Sequence, residues 1–99
     1  MKALFIDVYR EETIINEINV DTGECRRLKK VCGNFKDQSE QIFLLIMKRR
    51  PEKVLMDDSG IGKGLLDQLI GTMREHGLNL LNDKNVIYGV EEVVGRVDV

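Results

Sequence analysis

The first apolar stretch, Ala3 to Val8 (ALFIDV), is nearly unbroken. Such a run predicts a strand buried on both faces and central in its sheet, with Asp7 close to its C-terminal end. Tyr9 to Glu12 is polar and reads as a short turn. Thr13 to Val20 (TIINEINV) is rich in β-branched residues and partly alternating. Ile14, Ile18 and Val20 share one face, and Thr13, Glu17 and Asn19 share the other together with Ile15. Asp21-Thr22-Gly23-Glu24 is turn chemistry, with Gly23 supplying the positive φ that such a connection needs. Arg26 to Cys32 returns as a strand whose arginines and lysines suit a sheet edge. These segments predict an antiparallel meander.

The period then changes. Ile42, Phe43, Leu45, Ile46 and Met47 form a broad apolar face at helical spacing. Asp37 suits the N-cap of that helix, with Glu40 completing a capping-box pair. Lys48, Arg49 and Arg50 suit its C-terminal end, and Pro51 marks the stop. Lys53 to Met56 predicts a short buried strand ending at Asp57-Asp58, parallel to the first strand because the helix supplies the crossover. Ser59 to Gly64 (SGIGKG) reads as a glycine-rich loop. Leu65, Leu66, Leu69, Ile70 and Met73 predict a second amphipathic helix closed by Gly77. Asn85 to Val90 predicts the last strand, and residues 91–99 read either as a further strand or as a loosely held tail. The expected fold is α/β, a mixed sheet in the order β-β-β-α-β-α-β with helices packed on it.

The 99 residues suit one domain spanning 1–99. A chain of this size buries roughly two-thirds of the surface it exposes when unfolded, so its core is modest. The 42% hydrophobic and 32% charged shares are those of a folded globular protein. A net charge of -2 gives no general electrostatic attraction to nucleic acid, although a local basic patch could supply one. No apolar run approaches a membrane span, and the first residues lack a secretory leader pattern. Cys25 and Cys32 match no zinc or redox spacing, and the single His76 offers no partner ligand. Two free thiols point to a reducing, cytoplasmic setting without membrane attachment.

Asp7 and Asp57 carry the chemistry of interest. On parallel neighbouring strands, both would leave the same end of the sheet. Carboxylates held that close repel one another unless a cation compensates. Mg²⁺ or Mn²⁺ is the natural choice for hard oxygen ligands, and such ions can activate water and stabilise a leaving phosphate oxygen. Spacing leaves a plainer alternative open, because Asp is common at strand ends as a turn former or cap.

The order of elements, with Asp7 in FIDV on the first strand and Asp57 ending the fourth, resembles the ribonuclease H-like superfamily. More narrowly, Val54 to Leu69 (VLMDDSGIGKGLLDQL) is similar to the nuclease domain of phage terminase large subunits, with Asp57, Gly60, Gly62 and Asp67 on the matching positions. The resemblance implies a metal-dependent nuclease acting on nucleic-acid phosphodiesters. Asp7 and Asp57 would be its catalytic metal ligands, and Gly60, Gly62 and Lys63 would be loop contacts. The chain departs from the family in two places. The first hairpin is short and carries Glu11 and Glu12, and no late acid among Glu91, Glu92 and Asp98 stands in the context of the family's third carboxylate. An incomplete carboxylate set weakens metal binding and phosphoryl chemistry. The alternative is therefore an inactive module of the same fold, acting in partner binding or as a homodimer paired through an edge strand.

The remaining motifs each have two readings. SGIGKG is not a phosphate-binding Walker loop, since Asp57 and Gly64 stand where glycine and a hydroxyl residue are required. Its backbone amides could hold an anion, or it could be a plain turn. Asp67 would match the resemblance or simply favour a helix start. Arg26, Arg27, Lys29 and Lys30, with Lys48, Arg49 and Arg50, could grip a phosphate backbone or form solvated surface. An actin-like or sugar-kinase-like half-domain shares the opening strands, but the chain is too short for two lobes around a cleft.

Overall fold

The meander forms from β1 (Lys2–Val8), β2 (Glu12–Asn19) and β3 (Cys25–Cys32). Gly23 closes its second hairpin with a φ of 77°, in the left-handed region that favours glycine. The computed structural model describes residues 1–9, 11–56, 60–77, 79–87 and 90–98, the last two segments by their backbone. After the meander come α1 (Phe35–Arg49), β4 (Lys53–Met56), α2 (Ile61–Glu75), β5 (Asn79–Ile87) and β6 (Val90–Asp98). The molecule is α/β, a mixed sheet with two helices.

The strands lie in the order β3-β2-β1-β4-β6-β5. β1 and β4 are parallel, with Leu4 opposite Val54 and Ile6 opposite Met56. Every other pair is antiparallel. The expected final strand at 85–90 becomes a longer strand over 79–87, and most of the 91–99 segment is strand β6, lying between β4 and β5. The expected order therefore gains one strand.

Both helices cover one face of the sheet. Ile42, Ile46, Leu65, Leu69 and Met73 pack there against Leu4, Ile6, Ile15, Val31, Val54 and Met56. Ala3 and Leu55 form a smaller cluster on the other face, flanked by Phe5 and Val20. Strict alternation along β1 separates the two sets.

β2 resolves its ambiguous pattern in favour of the more polar face. Ile15 and Thr13 lie buried under the helices, whereas Ile18 pairs with Ala3 and so faces the other way. Thr13 is tolerated there because its hydroxyl donates to Gln38 Oε1 at 2.5 Å, and Gln38 Nε2 donates to the Gly33 carbonyl at 2.8 Å. β3 contains a bulge. Ile15 pairs with Lys29 but Asn16 with Arg27, leaving Leu28 as the extra residue. In a regular strand Leu28 and Val31 would point to opposite faces. The bulge lets both pack on the helix-side cluster.

The helix starts also differ from the sequence pattern. α1 begins at Phe35 with Asn34 as N-cap, whose side chain accepts from the Asp37 amide, so Asp37 lies in the first turn and is not the cap. Arg50 closes α1 in the left-handed conformation ahead of Pro51. α2 begins at Ile61, so Gly62, Lys63 and Gly64 are helical rather than part of a loop. A Cβ on Gly64 would stand 2.8 Å from the Phe35 ring, which shows why glycine is needed inside this helix. Ser39 and Thr72 join the two helices by a buried hydroxyl contact of 2.8 Å.

Candidate functional site at the end of the central strands

Three features meet at one end of the sheet. β1 and β4 run in the same direction, so their C-terminal ends lie together, and the N-termini of α1 and α2 follow β3 and β4 at that same end. Asp7 is the penultimate residue of β1. It shares its sheet face with Phe5 and with Ile14, its cross-strand partner on β2, and therefore lies on the face without helices. It is half-buried. The Tyr9 hydroxyl donates to Asp7 Oδ2 at 3.0 Å. Residues two apart on an extended chain project to the same side, which brings these two side chains together.

The hairpin beyond Tyr9 is tight, with its amide donating to the Glu12 carbonyl at 2.9 Å. Glu12 is paired with Lys30 of β3 at 3.3 Å. Glu11, Glu12, Cys32, Gly33 and Asn34 line a shallow depression beside this hairpin. The Tyr9 phenol is pushed above its ordinary pKa, first by the hydrogen bond to Asp7, then by that carboxylate's charge, with smaller contributions from partial desolvation and Glu12. The site thus gathers Asp7, Tyr9, Glu12 and Lys30 on one face. The polar turn at Tyr9 to Glu12 was legible in the sequence, but the Tyr9–Asp7 and Lys30–Glu12 contacts follow only from strand register.

Asp57 lies outside the described residues, as does its neighbour Asp58. Gly60 is the N-cap of α2, with φ 57°, and among the described residues no side chain caps this helix. Gly62 is buried and Lys63 exposed in its first turn. The expected loop contacts therefore form a helix start. Asp67 is exposed in the second turn, beyond the reach of a first-turn dipole effect. β6 runs antiparallel to β4 with Val93 opposite Met56, so the backbone of Glu91 and Glu92 continues towards the sheet end that holds Asp7. Asp98 lies at the far end of β6.

Apart from Lys30, the described basic residues of the cluster do not converge on Asp7. Arg26 pairs with Glu17 at 3.4 Å, near the start of β3. Lys48, Arg49 and Arg50 end α1 where the chain returns to the start of β4, at the opposite end of the sheet. Cys25 and Cys32 are free and exposed. Among the described residues no group of three or more His, Cys, Asp or Glu side chains is close enough to hold a metal ion. No described helix is long and apolar enough to cross a membrane.

The chain matches no protein-family model, no curated protein and no solved structure.

Proposed function

We propose that this is a ribonuclease H-like domain whose sheet end at Asp7 binds Mg²⁺ or Mn²⁺ and cleaves nucleic-acid phosphodiesters. One observation supports this reading above the others. The parallel β1–β4 register ends at Ile6 opposite Met56, and in the sequence Asp7 and Asp57 are the residues that follow those two. The backbone course of β6 adds Glu91 and Glu92 as candidates for the third, late carboxylate.

Asp7 offers a hard carboxylate, and only its Oδ2 is taken up by a hydrogen bond among the described residues. Asp7 and Asp57 would hold the ion, with Glu91 or Glu92 completing the set. A bound divalent ion would lower the pKa of a water and offset charge on the leaving phosphate oxygen. Lys30, held at Glu12, could contact a phosphate on the same face.

The test is calorimetric titration with Mn²⁺ of the wild type, Asp7→Asn, Asp57→Asn and Glu92→Gln, alongside cleavage of labelled single- and double-stranded DNA and RNA. Wild-type binding that Asp7→Asn and Asp57→Asn abolish is the expected outcome. A wild type that takes up no Mn²⁺ in the millimolar range rules the catalytic reading out.

The second reading is a non-catalytic module that pairs through an edge strand. Of the two edge strands, β3 and β5, β3 has described side chains, and its Arg26, Arg27, Lys29 and Lys30 are all exposed. Symmetric pairing there would bring like charges together, so this edge is better suited to an acidic partner than to a second copy.

A further inference from the structure

β3 ends the sheet, so the backbone groups on its outer side meet no further strand. Two contacts at its ends show which groups those are. The Gly33 amide donates to the Glu11 carbonyl, and the Asn19 amide to the Glu24 carbonyl. By alternation, Glu24, Arg26, Val31 and Gly33 turn their backbone groups towards β2. Arg27 and Lys30 turn theirs outward, one on each side of the bulge at Leu28. The side chains of this edge are basic on both faces. Arg27 and Lys30 stand with Asn16 and Ile14 on the face without helices, and Arg26 and Lys29 stand with Glu17 and Ile15 on the other. Arg26 and Lys30 are matched by Glu17 and Glu12 of β2. Arg27 and Lys29, one on each face, are exposed and have no ion pair among the described residues.

We infer that the outer edge of β3 takes an acidic, extended peptide as an added strand. The peptide backbone bonds to Arg27 and Lys30, and its carboxylates meet Arg27 on one face and Lys29 on the other. The inference rests on the edge-strand reading above and is independent of the metal site. In strand addition, main-chain hydrogen bonds supply affinity and alternating side chains supply specificity. Charge selects the occupant. A second copy would set arginine and lysine against arginine and lysine, which is destabilising across strands, whereas acids there are favourable. A nucleic-acid strand matches the edge less well. Its phosphates follow a basic groove with aromatic rings for the bases, whereas these cations straddle an edge and β3 contains no aromatic residue.

The test titrates the full chain with a fluorescent peptide of Glu and Thr that carries acids on both faces when extended. The same peptide N-methylated along its backbone keeps the charge and loses the hydrogen bonds. Anisotropy gives the affinities, and NMR hydrogen exchange follows the amides of β3. Wild type should bind the unmethylated peptide, which should slow exchange at Arg27 and Lys30. Arg27→Gln with Lys29→Gln should bind it about ten-fold more weakly, the size expected for two surface ion pairs, at an unchanged thermal midpoint. Equal binding of the N-methylated peptide overturns strand addition and leaves only an attraction of charges. Tighter binding of a single-stranded oligonucleotide, lost in the same double variant, overturns the peptide as occupant. A chain that binds no peptide but sediments as a dimer overturns this inference and leaves the edge-strand reading standing. A monomer that binds no peptide overturns both.

Discussion

Gln38 ties three segments together with one amide. It is fully buried in the first turns of α1, accepts from Thr13 of β2 and donates to the carbonyl of Gly33 before the helix. Leaving a buried polar partner unmatched costs more than a hydrogen bond contributes. Gln38→Leu should therefore lower stability by about 1–3 kcal/mol in urea unfolding. Adding Thr13→Val should cost less than the sum of the two single changes, because the orphaned hydroxyl is then gone. At Tyr9 the Asp7 carboxylate stabilises the protonated phenol, so the phenol ionises at higher pH than an unperturbed tyrosine. In a Tyr88→Phe background, tyrosinate absorbance should show that ionisation moving to lower pH on Asp7→Asn. Coincident curves for the two proteins would mean the contact does not persist in solution. Neither contact could be read from residue types alone. Gln38 is a polar residue on a helical pattern, and Tyr9 is one of several polar positions in a turn. The Gln38 partner lies 25 residues away, and the Tyr9 contact depends on how the first hairpin turns.

Among the elements, the two helices show how local sequence and neighbours divide the outcome. The apolar faces over 42–47 and 65–73 were legible because their spacing matches the helical repeat. Their first turns were not. Asn34 caps α1 because the bend at Gly33, with φ 111°, turns the chain there, and the capping-box pattern at Asp37 falls one turn too late. The glycines at 62 and 64 suggest a loop by propensity, but packing overrides propensity when a side chain needs the space. Gly64 is the clear instance, since Phe35 occupies the place of its Cβ. A Cβ at Gly71, by contrast, would meet nothing within 4 Å. Gly71→Ala should therefore stabilise α2 by about 0.5–1 kcal/mol through lower unfolded-chain entropy and better helix propensity. Gly64→Ala should lose that gain to the clash with Phe35 and come out neutral or destabilising. Thermal unfolding of the two variants compared with wild type decides this, and equal stabilisation by both would show that Phe35 moves aside without cost.

For the molecule as a whole, the sheet has a helix-covered face and an opposite face, and β2 shows which is which. Its sequence offers two aliphatic residues, Ile14 and Ile18, on one side and one, Ile15, on the other. The register with β1 puts the single Ile15 beneath the helices. Ile15→Ala should cost about 2–5 kcal/mol, as expected for a fully buried isoleucine, and the half-buried Ile14→Ala much less. The reverse ranking in chemical denaturation would mean that the helices cover the other face.

Residue order alone was enough for the succession of elements through β4 and α2, the centrality of β1, the parallel β1–β4 pair and the acid near the end of β1. These follow from local periodicity, turn chemistry and the handedness of a helical crossover, all of which act over short stretches of chain. Folding in three dimensions settled the rest: which face of β2 is buried, the entry of Leu28 into the core through a bulge, the insertion of residues 90–98 as β6 beside β4, and the meeting of Tyr9 with Asp7. Those outcomes depend on strand register. A shift of one residue exchanges every side chain between faces, and no local pattern along a half-apolar strand carries enough energy to fix it without the helices that pack above.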